Sequence, residues 1–463
     1  MTSQLRPLKG TAPDQTVGYD LSELGYTEQE FLLTGTAESY RLAGTRGFDG
    51  RWSVRPAGAA PFSTRVLLRR PAADADFSGT LAVEWLNVSG GLDAAPDWMM
   101  SHTHLLRSGH AWAGVSAQRA GIEGGGLVES MHLKKAHPDR YGMLEHPGDA
   151  WSFDIFSQAG HALRSEPGLL PPPTSTRPLR LLASGHSQSG AFLVTYVNAI
   201  DSEAEVYDGF LVHGRTGAGA ALDTGFQPAA GAAAAIGEQI RADPRVPVIV
   251  LQTETDVAIL GSALADQPDS DLLRNWEIAG AAHADTYLVA ASYRDNGRLP
   301  AAELARLVRP TTQILFTTTP EPVNSCLAHH YVECAAVAHL DAWVTGRGVP
   351  PAAPRLSLAP DGRELRRDGL GIAEGGIRTP WTDVPVAVLS GTGQRGELFA
   401  FLFGTTRELA AAELDRLYPG GAADYLGQFE RSLDETIEAG FLLAADRREI
   451  LAEASAAWPG GAG

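Results

Sequence analysis

Cysteine is nearly missing: the 463-residue sequence carries only Cys326 and Cys334. Two thiols in so long a chain make no disulfide framework. The sequence therefore reads as a chain of a reducing compartment that relies on its core. No stretch approaches the roughly 20 apolar residues needed to span a bilayer. Instead 51 glycines and 29 prolines interrupt the apolar runs. The first ten residues lack the apolar core of a signal peptide. A soluble, cytoplasmic protein without a membrane partner is the expectation. Positive charge is also in deficit, with 37 Lys and Arg against 55 Asp and Glu and a net charge of −18. That argues against a nucleic-acid partner, which would need a basic face. It identifies no substrate, because an acidic surface mainly keeps a protein soluble.

What is present is enough apolar material for a sizeable core, 44% of residues against 20% charged. Segments 30–40 and 65–69 read as strands near a sheet edge. Short apolar runs follow at 81–86, 111–115, 179–183, 209–212, 246–251 and 276–279. Each ends in small or polar residues, as strands buried on both faces of a parallel sheet do. Helical patterns at 149–164 and 190–200 lie between them. Alternating strands and helices predict an α/β fold with right-handed crossovers. Beyond about residue 300 the character changes. A helix is expected over 334–344, then a Pro/Gly-rich passage over 346–385. A helical tail over 406–458 follows, broken at Pro419-Gly420-Gly421. The division expected is a catalytic core over 1–300 and a C-terminal extension over 301–463, packed as one integrated domain. The Ala/Gly-rich segment 214–238 is expected to form a cap or loop over the pocket.

One turn carries chemistry. The strand at 179–183 runs into Ser184-Gly185-His186-Ser187-Gln188-Ser189-Gly190, and a helical pattern follows. Strand, sharp turn and helix are the context of a nucleophile elbow, with Ser187 as nucleophile. The turn is strained, so the residues two before and two after the serine must be small. Here they are Gly185 and Ser189. The hydroxyl would sit at a helix N-terminus, where partial positive charge favours an oxyanion. Ser189 is the alternative nucleophile, but it has a serine two positions before it and fits the turn less well.

In this type of site the chain order is serine, acid, histidine. His283, after the run at 276–279, is the histidine that fits. His329 and His330 lie in a polar segment and His339 in an expected helix, where surface or packing roles suit them better. His186 adjoins the nucleophile on a tight turn and points elsewhere, more plausibly lining the pocket. The acid should follow the strand at 246–251. Gln252-Thr253-Glu254-Thr255-Asp256 offers two carboxylates, of which Asp256 has the better spacing and Glu254 is the alternative. His283 would then take the proton of Ser187, and Asp256 would fix its tautomer. No metal or other cofactor is called for. The zinc-like string His330-Tyr331-Val332-Glu333 lacks a further histidine. The first oxyanion donor should be the backbone N–H of Gln188. The second should come from Asn87-Val88-Ser89-Gly90-Gly91, through Val88 or Ser89, with Asn87 facing the substrate.

At this point the chain resembles a large, sparsely characterised α/β-hydrolase family. The resemblance rests on Val83-Glu84-Trp85-Leu86-Asn87-Val88-Ser89-Gly90-Gly91, on Gly185-His186-Ser187-Gln188-Ser189-Gly190 and on Gly375-Gly376-Ile377-Arg378-Thr379-Pro380-Trp381. Asp149-Ala150-Trp151-Ser152-Phe153-Asp154 and the turn at Glu254 and Asp256 are similar too. It runs from about Gly25 to the end of the chain. The resemblance implies a carboxylic-ester hydrolase, supports one integrated domain and carries Ser187 and His283 over directly. It leaves Glu254 against Asp256 open and fixes no substrate. It also suggests that the third string folds near the pocket. Arg378 could there bind an acidic substrate group or, the better alternative, pair with a buried carboxylate such as Glu84.

Three functions remain in view: an esterase acting on a small-molecule ester, an acyltransferase using the same triad, and a silent binding protein on a hydrolase fold. The intact set Ser187, Asp256 and His283 argues against the third.

Overall fold

Short, evenly apolar runs flanked by glycine give strands that neither face can leave in water, and these form the centre of a sheet. The computed structural model describes residues 3–10, 17–126, 128–225, 237–314, 317–397 and 399–459. Its contacts divide the chain into two units. The first is Met1–Val250 with Leu264–Leu273 and Leu340–Arg347. The second is Leu251–Ala263 with Arg274–His339 and Gly348–Gly463.

The first unit contains β1 (Gln4–Pro7), β2 (Tyr26–Leu42), β3 (Val54–Pro71), β4 (Thr80–Trp85), β5 (Ala111–Val115), β6 (Arg180–His186) and β7 (Gly209–His213). Two further strands, β8 (Val248–Thr253) and β9 (Leu273–Ile278), begin in it and end in the second unit. The strand order is β1-β2-β3-β5-β4-β6-β7-β8-β9. β1, β2, β3 and β5 pair antiparallel in turn, whereas β5, β4, β6 and β7 are parallel neighbours. Parallel neighbours need crossovers, and helices supply them. Pro96–Arg107 lies between β4 and β5, Ser152–Ser165 between β5 and β6, and Gln188–Thr195 between β6 and β7. Every residue of β4, β5 and β7 is buried, as a sheet covered on both faces requires. Trp85 of β4 is the hub of the apolar layer, with its ring 4.5 Å from Phe156 and 4.9 Å from Phe192. The α/β reading holds.

β2 and β3 run for 17 and 18 residues, far longer than the segments expected. The first half of β3 is mostly exposed and rich in Ala, Gly and Pro. No alternating pattern marks it, and pairing with β2 from Leu42↔Val54 onward holds it in place. Asp154, from the Asp149–Asp154 string, accepts from Glu38 N–H at 2.8 Å and from Gln158 Nε2 at 2.7 Å. It thereby fastens the helix Ser152–Ser165 to β2. Of the 214–238 segment read as a cap, residues 226–236 lie outside the described residues. Its described ends are tied down by Arg46, which bonds Gly219 O at 2.8 Å and Glu238 at 2.5 Å.

In the second unit the tail forms helices at Ala411–Leu417, Ala422–Glu438 and Arg447–Ala457, broken where Pro419-Gly420-Gly421 predicted. The helix expected at 334–344 starts earlier, at Ala328. His329 and His330, read as polar-segment residues, are fully buried. His329 Nδ1 lies 3.2 Å from Asp285, and the His330 ring stacks on Tyr287 at 4.1 Å. Paired and stacked histidines are core material, which composition alone does not show. Cys326 and Cys334 are buried and form no disulfide. Among the described residues no helix is long and apolar enough to cross a membrane.

Candidate active site

The turn after β6 is strained in the way the sequence predicts. Ser187 has φ 63° and ψ −118°. Among the described residues only Ser187 and Glu205 combine a side chain with positive φ, a conformation that costs about 1–3 kcal/mol. Ser187 N–H donates to His213 O at 2.9 Å, which pins the corner to β7. The helix Gln188–Thr195 starts at once, so its N-terminal dipole lies beside the serine. A Cβ on Gly185 would come within 3.0 Å of Ser189 C and O, and one on Gly190 would stand 2.6 Å from His213 O. Position 190 therefore has no room for a side chain and position 185 very little. Position 189 has room for a hydroxyl, which Ser189 donates to Leu86 O at 3.2 Å. Ser189 is fully buried, whereas Ser187 is partly exposed.

The loop after β4 meets this turn. Asn87 and Ala94 close it with a pair of backbone hydrogen bonds, both 2.8 Å. Ser89 N–H donates to Asn87 Oδ1 at 2.9 Å, so that amide is committed. Among the described residues Val88 N–H has no acceptor. Of the two backbone donors expected here, Val88 is the one left to bind something else. Asn87, expected to face a substrate, is buried and its Nδ2 donates to His186 O at 3.0 Å. His186, expected to line a pocket, is buried as well, with its ring 4.3 Å from that of His213.

The second unit places the two carboxylates of the acid turn in different roles. Asp256 Oδ1 lies 2.5 Å from His283 Nδ1. Its Oδ2 accepts from Thr253 N–H at 2.7 Å and from Thr253 Oγ1 at 2.8 Å. Burial pushes the Asp256 carboxyl up, but the facing imidazole and the Thr253 donors outweigh it and hold it below the ordinary value. His283 is fixed at its backbone too, where its N–H donates to Thr255 Oγ1 at 3.1 Å. With Nδ1–H directed at Asp256, Nε2 is the nitrogen able to take a proton. Glu254 points away from this pair. It accepts from Gly280 N–H at 2.7 Å and Gly391 N–H at 3.0 Å, and from Arg367 at 3.2 Å. Burial raises its carboxyl above the ordinary value, and Arg367 and the two amides offset this only in part. Thr253 was not anticipated, though Thr253-Glu254-Thr255-Asp256 is a capping box at the start of the helix Glu254–Ala258. That four-residue pattern is the signal that separates Asp256 from Glu254.

The expected pair between Arg378 and Glu84 gives way to local partners on each side. Arg378 donates to Asp383 at 2.5 Å, Ala373 O at 2.6 Å and Thr382 O at 3.0 Å. Glu84 accepts from Asp97 N–H at 3.0 Å and from Trp98 N–H and Trp112 Nε1 at 2.9 Å, capping the helix Pro96–Arg107. Burial and the neighbouring Asp97 hold the Glu84 carboxyl well above its ordinary value, against the pull of those three donors. Other residues of the string around Arg378 are packed. Ile377 extends along β9 at Ile278, and Trp381 stacks on Tyr331 at 5.7 Å.

Residues 2–452 match the model of a family described as alpha/beta hydrolase domain. No curated protein matches. Similar solved structures include a chain assigned as a dienelactone hydrolase from Klebsiella pneumoniae, at 14% identity and a TM-score of 0.30, covering 57% of this chain and 93% of that one. An esterase from Rhizomucor miehei is 11% identical with a TM-score of 0.28, covering 59% and 83%. A thermostable esterase from Pseudomonas putida is 12% identical with a TM-score of 0.28, covering 56% and 75%. At such scores the weight rests on the family match.

Proposed function

Since the chain belongs to the alpha/beta hydrolase domain family, we propose that it is a serine carboxylic-ester hydrolase acting through an acyl-enzyme. In this reading Ser187 Oγ attacks the ester carbonyl while His283 Nε2 accepts its proton. The oxyanion forms against Gln188 N–H and Val88 N–H, at the positive end of the helix Gln188–Thr195. Collapse of the adduct expels the alcohol, which takes the proton back from His283. Water then repeats the sequence on the acyl-enzyme and releases the acid. Asp256 keeps His283 in the right tautomer and stabilises its cation. The observation that carries the reading is the non-glycine residue held at φ 63° at a strand-to-helix corner, a strain that persists where surrounding structure and function require it. The same proposal places the enzyme in a reducing cytoplasm, where Cys326 and Cys334 would remain thiols.

A fluorophosphonate should label the protein at Ser187, and the protein should hydrolyse p-nitrophenyl acetate. Ser187→Ala should lose both, with turnover falling by about four or more orders of magnitude. Full turnover in a folded Ser187→Ala protein would overturn the assignment.

A further inference from the structure

The oxyanion donors in this reading come from two segments, and the sheet does not hold them together. The β4–β6 backbone ladder ends at Glu84↔Ser184. Beyond it, side chains take over. Asn87 Nδ2 reaches across to His186 O at 3.0 Å. Ser189 Oγ reaches back to Leu86 O at 3.2 Å. Ser89 Oγ adds a longer bond to Gln188 Oε1 at 3.4 Å. The first two are buried and run in opposite directions between the same two strips of chain. Each strip also carries one of the amides, Val88 and Gln188. Asn87 does more than bridge. Its Oδ1 takes the Ser89 N–H and so, of the two amides Val88 and Ser89, leaves that of Val88 as the donor.

We infer that Asn87 and Ser189 are positioning residues that set the gap between the two oxyanion donors. The inference rests on the ester-hydrolase reading and deepens it. An oxyanion site acts only if its donors are fixed before the charge develops, and a displacement of about 1 Å can cost a hundredfold in rate. Serine at position 189 is then a second latch, and its hydroxyl has a task that glycine could not perform.

The test uses Asn87→Ala and Ser189→Ala, each compared with wild type for kcat and KM on p-nitrophenyl acetate. Affinity for an alkylboronic acid, whose tetrahedral adduct needs the same donors, is measured alongside. Asn87→Ala should lower kcat about 100-fold, and Ser189→Ala about fivefold, the value of one hydrogen bond. KM should stay within about twofold in both, and boronate affinity should fall in parallel with kcat. The double variant should lose less than the product of the two, because both hold one gap. A role in folding alone would lower the melting temperature without moving kcat and boronate affinity together. If Asn87→Ala fails to fold, Ser189→Ala decides. Unchanged kcat in the folded variants overturns the inference, as does a raised KM at constant kcat, which would mean substrate contact. In either case Ser187→Ala must still be inactive. A wild-type protein that neither labels nor turns over ester would overturn the underlying reading instead.

Discussion

The corner at Ser187 and the corner at Asp256 both lead from a strand into a helix, yet they fix their side chains by opposite means. At Ser187 the backbone does the work. A φ of 63° with ψ −118° aims the hydroxyl, and glycines at 185 and 190 let neighbouring chain close in. At Asp256 the backbone is ordinary, and side chains do the work. Thr253 caps the helix, and the same Thr253 grips the carboxylate oxygen that does not face His283. Strain needs rigid packing around it, whereas a hydrogen-bonded cap is relaxed and adds about 1 kcal/mol of its own. In the proposed roles a nucleophile must stand clear of its own chain, while an orienting carboxylate must be enclosed, and the two devices suit those two needs.

The largest effect expected from this contrast concerns the two carboxylates of the relaxed corner. Asp256→Asn should lower kcat by about four orders of magnitude with little change in KM, because the wrong histidine tautomer is favoured. Glu254→Gln should cost about tenfold or less in kcat and act mainly on the melting temperature, since Glu254 braces Gly280, Gly391 and Arg367. Steady-state kinetics and thermal melts of both variants check this. The reverse pattern would transfer the orienting role to Glu254.

At the strained corner the expected effect is smaller and lies in stability. Ser187→Ala keeps the side chain and the strain, while Ser187→Gly relieves it. The glycine variant should therefore be more stable than the alanine variant by about 1–2 kcal/mol in urea unfolding, despite the greater flexibility of glycine. Equal stability would mean that the turn is not strained and that positive φ there reflects no stored cost.

The contrast also explains what could be read from the sequence. Strain selects small residues at fixed spacing, so Gly185, Ser187 and Gly190 leave a visible trace. The strands around them were visible for the same reason, since burial on both faces demands unbroken apolar runs such as 111–115. Hydrogen-bonded positions leave a fainter trace. Asp256 and Glu254 are both carboxylates after a strand, and only the Thr-x-x-Asp cap pattern tells them apart. Asn87 looked like a substrate contact because its residue type suits one. Its bond to His186 joins residues far apart in the chain, which no local pattern displays. Arg378 likewise found Asp383 nearby, where charge pairing by residue type alone had suggested Glu84. The first half of β3 escaped detection because its partner β2, and not its own pattern, keeps it extended.

The subtlest expected effect is in the pH dependence of stability, where the two carboxylates of the relaxed corner should part company. Asp256 has its folded value below the unfolded one near 3.8. Its stabilisation is thus complete above that value and lost as pH falls through the lower folded one. Glu254 has its folded value above the unfolded one near 4.5. Its proton-linked contribution is present below 4.5 and lost as pH rises through the folded value. Urea unfolding of wild type, Asp256→Asn and Glu254→Gln across pH 3 to 7 separates them. On acidification toward about pH 4.5, wild type should gain on Glu254→Gln. Below about pH 4, it should lose its advantage over Asp256→Asn. Two differences that move together would show that the carboxylates titrate as one group, and the division of labour between an orienting Asp256 and a bracing Glu254 would fail.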